Sequence, residues 1–446
     1  MKALFVTLLL LCAQAALAAP VAIINVNIVP MTEERVIAAQ TVIVDGGKIV
    51  AIGDVDTIPL PEAATVIDGT DRYLIPGLAE MHAHVPSADS SSLDRYFSLF
   101  VANGVTTVRG MLGNSSHLAL REDLLADKVF GPRLITSGPS LNGNSVRGAA
   151  DGEQQVRRQH AAGFNFIKIH PGLRAVEFEA IASTARELSM PVAGHVTTAV
   201  GVEQAMRAGM ATVEHLDGYL PAMLPATFDR SGGYGGWFGS WLADQLDVSR
   251  IDALVAATVA AGTWNVPTNI LVEQLINDTP VAELTAREDM QYMPRATVQG
   301  WADAKRQALA DKDYSAAVAA KAINIRRQLI LALHEAGAGL LLGSDAPQVF
   351  NVPGFSVHYE LENLVAVGLS PYEALATATR NVGEFLDLPV GTVEVGKEAD
   401  LVLLDANPLI DISESRRIYG VVLRGTWHSV YELQDRIDRY RAEVED

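Results

Sequence analysis

Cysteine is almost absent from this chain: Cys12 is the only one among 446 residues. It lies in an apolar stretch that reads as a leader, so the rest of the chain carries no thiol. Disulfides and Cys-ligated zinc are thereby excluded, and any metal site must use His, carboxylates or modified side chains. Positive charge is also short. Lys and Arg number 34 against 53 Asp and Glu, a formal net charge of −19. Nucleic acid and anionic membranes need a cationic face, so neither is an expected partner. Beyond the leader no run reaches the roughly 18 uninterrupted apolar residues of a membrane span. Cys12 follows leucines rather than the small residues a lipid-anchor site prefers. No membrane anchor is therefore expected in the mature chain. No G-x-G-x-x-G or Walker A pattern follows the early strands, which argues against an open nucleotide-binding sheet.

The leader is the first feature present. Lys2 supplies a positive start, 3–11 is apolar, and Ala16-Leu17-Ala18 fits a cleavage site before Ala19. Residues 1–18 are read as a signal peptide, which makes the protein exported, either periplasmic or secreted. Hydrophobic residues at 49% and charged residues at 20% suit a globular protein with a large core. The length suits one large domain plus a smaller one.

From Val21 to about Thr70 the chain runs in short β-rich pieces, with Asp45-Gly46-Gly47-Lys48 as a hairpin turn. The same texture returns in GTVEVG, ADLVLLDA and IYGVVLRGTWHSVYEL. The two ends, 19–72 and 387–446, are read as halves of one small β-sandwich, closed by an acidic solvated tail (RAEVED). Between them, strands alternate with helical patterns over 73–386. Candidate strands are 73–84, 105–110, 133–138, 164–170, 191–195, 212–216, 263–268 and 339–345. Eight such units predict an α/β fold, a (β/α)8 TIM barrel with its site at the C-terminal strand ends. Two long connections, from Asp217 to about Val248 and from Asn269 to Arg327, have the length of lids or oligomer contacts. A homo-oligomer stays open on that ground.

Metal-competent side chains gather at those strand ends. His82 and His84 close the first strand, Lys168 lies near the end of the fourth, His195 ends the fifth, His215 the sixth and Asp345 the eighth. Residues i and i+2 of a strand face one side, so His82 and His84 can both point into the barrel mouth. By the same parity His170 lies on the side of Lys168 and is read as a supporting residue behind the ligands.

The segments LIPGLAEMHAHVP, GSD at 343–345, and SPYEALATATRNVGEFLDL followed by GTVEVGKEADLVLLDANPL resemble those of the amidohydrolase superfamily. The resemblance covers nearly the whole mature chain. Within the superfamily it is nearest the group of imidazolonepropionase, prolidase-like dipeptidases and ochratoxin-hydrolysing amidases. It implies a metal-dependent hydrolase of C–N bonds with a small-molecule substrate and two divalent metal ions. His82, His84 and Asp345 would hold one ion, and His195 and His215 the other. Lys168 would bridge both as a carbamate formed with carbon dioxide. A free lysine, with a pKa near about 10.4, is a cation and cannot ligate. Zinc is the metal a His-rich, thiol-free site favours, and geometry alone does not exclude manganese or cobalt. The shared water would give hydroxide near neutral pH, and Asp345 would be the catalytic proton carrier.

Departures narrow the substrate. Deaminases of the superfamily usually carry an acid three residues after the fifth-strand His, where this chain has Thr198. Prolidase-like members commonly have a Gly-Gly-His after strand three, where this chain reads SGPSLNGNSV. Imidazolonepropionase lacks the bridging lysine. The leading expectation is hydrolysis of an amide in a dipeptide or N-acyl amino acid. Ester, lactone or phosphotriester hydrolysis at the same centre is the alternative, and a non-catalytic exported binding protein is the reading from another class. Three residues are candidate substrate contacts: Arg109 for a carboxylate or else a structural ion pair, Tyr219 for an oxyanion or else packing, and His358 after the last strand. His117, His160, His334 and His428 read as ordinary surface or core histidines.

Overall fold

The structure, a computed structural model, describes residues 19–229 and 235–445. The leader at 1–18 and the start of the Gly- and aromatic-rich SGGYGGWFGSW segment lie outside the described residues. Both chain ends enter one eight-stranded sheet. Its N-terminal strands are β1 (Val21–Ile28), β2 (Ile37–Asp45), β3 (Lys48–Asp54), β4 (Thr65–Asp68) and β5 (Tyr73–Pro76). The β2–β3 hairpin pairs Asp45 with Lys48. Gly46 and Gly47 take φ of 56° and 78°, the two left-handed residues of a type I′ turn.

The chain changes sheets at Gly77. A Cβ there would fall 2.1 Å from Thr106 Oγ1, so only glycine lets the next strand pack this closely. The stretch expected as one strand over 73–84 is therefore two, β5 in the end sheet and β6 (Leu78–Ala83) beyond it. Parallel strands follow: β7 (Val105–Gly110), β8 (Arg133–Thr136), β9 (Ile167–Ile169), β10 (Val192–Gly194), β11 (Thr212–Glu214) and β12 (Trp264–Val266). They form two parallel sheets, β6-β7-β8 and β9-β10-β11-β12. Parallel bridges from Ser137 to Phe166 and from Leu141 to Ile169 link one sheet to the other.

The eighth expected strand, 339–345, forms no ladder. It makes single bridges, Leu340 with Asn265 and Ala346 with Ala83, and Met81 N–H donates to Leu342 O at 2.9 Å. Close approach explains the broken ladder. A Cβ on Gly343 would lie 2.5 Å from Val266 Cγ1 and 2.9 Å from His82 Cβ, and Asp345 takes a left-handed φ of 64°.

The interior between the strands is apolar at one end, with Ala79, Met81, Val266 and Leu341 packed against Trp264 and Phe385. A much larger core lies between strands and outer helices. The end sheet closes over its own core of Ile23, Val42, Leu74, Leu401 and Val422, with β13 (Leu401–Leu404), β14 (Ile418–Leu423) and β15 (Thr426–Ser429) completing it. Antiparallel pairing of β13 with β5 joins the two chain ends. The SPYEALATA segment begins with a capping box: Ser370 Oγ accepts from Glu373 N–H at 3.2 Å, and Glu373 Oε2 accepts from Ser370 N–H at 2.7 Å. The chain runs on in helix Val430–Glu445, which takes in the RAEVED stretch as far as Glu445. Arg436 and Arg439 dock it on Asp94 of helix Leu93–Ala102. Among the described residues no helix is long and apolar enough to cross a membrane.

Candidate metal centre

At the end of the strand set opposite the apolar plug, polar side chains converge. The His82 and His84 rings lie stacked at 6.1 Å, as strand parity expects. His82 meets His215 at 4.5 Å, and His215 meets His195 at 4.7 Å. His170 stacks on His195 at 5.0 Å. Asp345 Oδ1 is 2.9 Å from His84 Nε2 and 3.6 Å from His82 Nε2. Ligand atoms of His82, His84 and Asp345 all fall within 4.8 Å of one another. Lys168 is 1% exposed, and its Nζ has no hydrogen-bond partner among the described residues. Ring contacts and the Asp345 carboxylate bring His82, His84, His195, His215 and Asp345 together with His170 beside them, and the charge of Lys168 acts on the His82, His215 and His170 imidazoles.

Three of the four ligand-candidate imidazoles have their Nδ1 engaged from behind. His82 Nδ1 lies 2.6 Å from Glu214 Oε2, His195 Nδ1 3.2 Å from Asp217 Oδ2, and His215 Nδ1 2.7 Å from Thr268 Oγ1. A partner on Nδ1 leaves Nε2 as the coordinating atom. Glu214 also accepts from Arg109 Nη2 at 2.8 Å and from the Thr212 hydroxyl. The backbone is strained here as well: His215 and Thr268 take φ of 62° and 43°, a conformation non-glycine residues seldom adopt.

Burial, and then the charge of Lys168, hold the His82 imidazole well below its ordinary range, and burial with His82 does the same to His215. Burial brings His170 down to about 3. Burial also brings the Lys168 amine down to about 8, against the pull of Glu214 and Asp345. The imidazoles of His82, His84, His195 and His215 with the Asp345 carboxylate form a nitrogen and oxygen donor set that fits divalent cations, and the buried Lys168 amine would join it only as a carbamate.

The three expected substrate contacts fall elsewhere. Arg109 is 1% exposed between the two parallel sheets, where it donates to Met81 O at 2.7 Å, Thr212 Oγ1 at 3.2 Å and Glu214. It is the structural ion pair, not a carboxylate clamp. Tyr219 is fully buried with its hydroxyl 2.8 Å from Thr258 Oγ1. Left-handed turns at His215 and Leu216 end the strand parity and send it outward. His358 is buried between Ser415 Oγ (2.9 Å) and Asn103 O (3.2 Å), on the outer side of its helix. Sequence reasoning missed Glu214, Asp217 and Thr268, whose partners are distant in the chain. It also missed Phe238, which stacks on His215 at 4.9 Å and 13°, and on His195 at 6.0 Å. The run of glycines and aromatics around Phe238 was the available signal.

A family model described as the amidohydrolase family matches residues 73–428. Among curated proteins, the chain is 34% identical over 84 residues to adenine deaminase 2 of Shouchella clausii (strain KSM-K16). That match spans 19% of this chain and only 14% of the deaminase. Among solved structures, the bottromycin amidohydrolase superposes with a TM-score of 0.72 at 22% identity, over 95% of this chain and 90% of that one. A Xaa-Pro dipeptidase with methionine bound in its active site superposes with a TM-score of 0.64 at 20% identity, over 92% and 100%. At such identities the likeness is one of fold.

Proposed function

The chain belongs to the amidohydrolase family, and on that premise we propose that it is a metal-dependent hydrolase cleaving an amide C–N bond in a dipeptide or N-acyl amino acid. The observation that carries this reading is the convergence of His82, His84, Lys168, His195, His215 and Asp345, with Lys168 Nζ buried and unpartnered. His82, His84 and Asp345 would hold one cation, and His195 and His215 the second. Lys168 would join the two after its amine adds carbon dioxide and releases a proton. When bound, two divalent ions supply a Lewis acid for the substrate carbonyl and lower the pKa of water from about 15.7 towards 7. The protein's own part is positioning and proton transfer. Glu214, Asp217 and Thr268 orient the three imidazoles. Asp345, with a side chain 8% exposed beside His84, takes the proton of the attacking water and delivers it to the leaving nitrogen. Phe238 covers His215 and His195 and limits bulk water.

Three structural readings accompany the proposal. The parallel bridges support a closed eight-stranded barrel, the end sheet's separate core supports a small sandwich domain, and the N-terminal pattern supports export with cleavage after Ala18. N-terminal sequencing of the recovered protein tests the last. The function is tested by metal-reconstituted assays of amine release across dipeptides and N-acyl amino acids. Release from at least one class, lost in Asp345→Asn with the fold retained, is expected. Turnover of ester substrates alone would overturn the amide reading.

A further inference from the structure

We propose that Arg326 is a positioning residue that pins the strand ends carrying His215 and Thr268, and so sets the second cation's site. The proposal rests on the reading of His215 as a ligand. Arg326 lies on helix Ala316–Glu335, at the end of the long connection after β12. It is completely buried. Its guanidinium spans two neighbouring strand ends: Nη1 donates to His215 O at 2.8 Å, Nη2 to Pro267 O at 3.0 Å, and Nε to Asn269 Oδ1 at 3.1 Å.

Those carbonyls belong to the strained stretch. His215, Leu216 and Thr268 take φ of 62°, 53° and 43°. Left-handed conformations of non-glycine residues are strained and persist only where the surroundings over-determine them. Here the over-determining group is one planar fork with donors in fixed directions, a task for which lysine cannot substitute. The consequence reaches the imidazole. With both carbonyls held, the Thr268 hydroxyl meets His215 Nδ1 at 2.7 Å, and Nε2 is left for the cation. Burial lowers Arg326 to about 10, so it stays charged at neutral pH, offset by Glu273, Glu360 and Asp217. Glu360 completes the support by accepting from Asn269 and Ile270 N–H at 2.8 and 2.7 Å.

The test is titration of the metal-stripped protein with Co2+, read by visible absorption and calorimetry, for wild type, Arg326→Met and Arg326→Lys. Lys321→Met is the control, because Lys321 lies on the same helix in an exposed pair with Asp244. Loss of an outer partner typically weakens metal binding by about 10–100-fold. The expected result is that loss at one Co2+ site in both Arg326 variants, with the other site within about threefold of wild type. If Arg326→Met does not fold, Arg326→Lys carries the test, since it keeps the charge but not the fork. Unaltered binding at both sites, or equal weakening of both, overturns the assignment. Wild-type protein that binds no Co2+ overturns the metal reading and this assignment with it.

Discussion

Glu214 and His82 are joined between the two parallel sheets by a 2.6 Å contact between Oε2 and Nδ1, with both side chains at most 1% exposed. Arg109 closes the arrangement from beneath at 2.8 Å, so a buried cation holds the carboxylate that orients the imidazole. Glu214→Gln loses the charge and one of the two accepting oxygens, so it cannot serve His82 and Arg109 together. Metal affinity is expected to fall by about 10–100-fold as His82 loses its anchor. Stability is expected to fall by about 3–5 kcal/mol, because Arg109 is left as an uncompensated buried charge. Metal titration and urea unfolding of the same variant check the two. A drop in stability without a drop in affinity would mean that Glu214 serves Arg109 alone.

Lys168 contributes an unpartnered buried amine to the cluster. Lys168→Met keeps an unbranched side chain of nearly the same length but cannot add carbon dioxide. Such a variant is expected to bind its second ion at least about tenfold more weakly, and its metal loading should not respond to bicarbonate. Wild-type loading should rise with bicarbonate, and its intact mass at mild pH should show one added carbon dioxide. Identical bicarbonate responses in the two proteins would remove the bridging role.

The sequence was legible where chemistry is local. Strand parity put His82 and His84 on one side, and the Asp45–Lys48 hairpin followed from its glycines. It was not legible where the decisive partner is distant. Nothing near Arg109 in the chain announces Glu214, and the contact joins strands separated by 105 positions. The 339–345 segment has strand composition, but its contact at Gly343 with Val266 and His82 breaks the ladder. Arg326 is marked in the sequence by its setting: it interrupts an apolar helical stripe of Ala322, Ile325, Leu329 and Ile330, all buried. A cation in such a stripe needs buried acceptors, here the carbonyls of two strand ends.

Tyr219 separates a packing role from a substrate role. Its hydroxyl bonds Thr258 Oγ1, which also donates to Leu254 O at 2.8 Å. Burial raises the phenol to about 12, so it stays protonated throughout the working range. Tyr219→Phe should cost about 1 kcal/mol, the net worth of one hydrogen bond. Thermal unfolding reads that loss, while KM and kcat on any accepted substrate should stay within about twofold. A kcat loss of a hundredfold would restore Tyr219 to the chemistry.

Glu360 gives the protein a pH dependence of known sign. Burial, opposed by the Ile270 and Asn269 N–H bonds, raises its carboxyl to about 7 from 4.5. Between those values the folded state holds a proton that the unfolded state has lost. This contribution to stability is full below about pH 4.5 and disappears as pH rises through 7. Glu360→Gln cannot ionise. It replaces one of the two accepting oxygens with an amide nitrogen, a penalty that does not vary with pH. The readout is therefore the slope of the difference between variant and wild type, not its absolute value. From pH 4.5 to 8 the variant should gain on wild type by up to about 3 kcal/mol, the shift converted at 1.36 kcal/mol per pKa unit. Urea unfolding at intervals across that range measures it. A flat difference would show that the Glu360 carboxyl ionises at the same pH folded and unfolded, with Arg326 offsetting its burial in full.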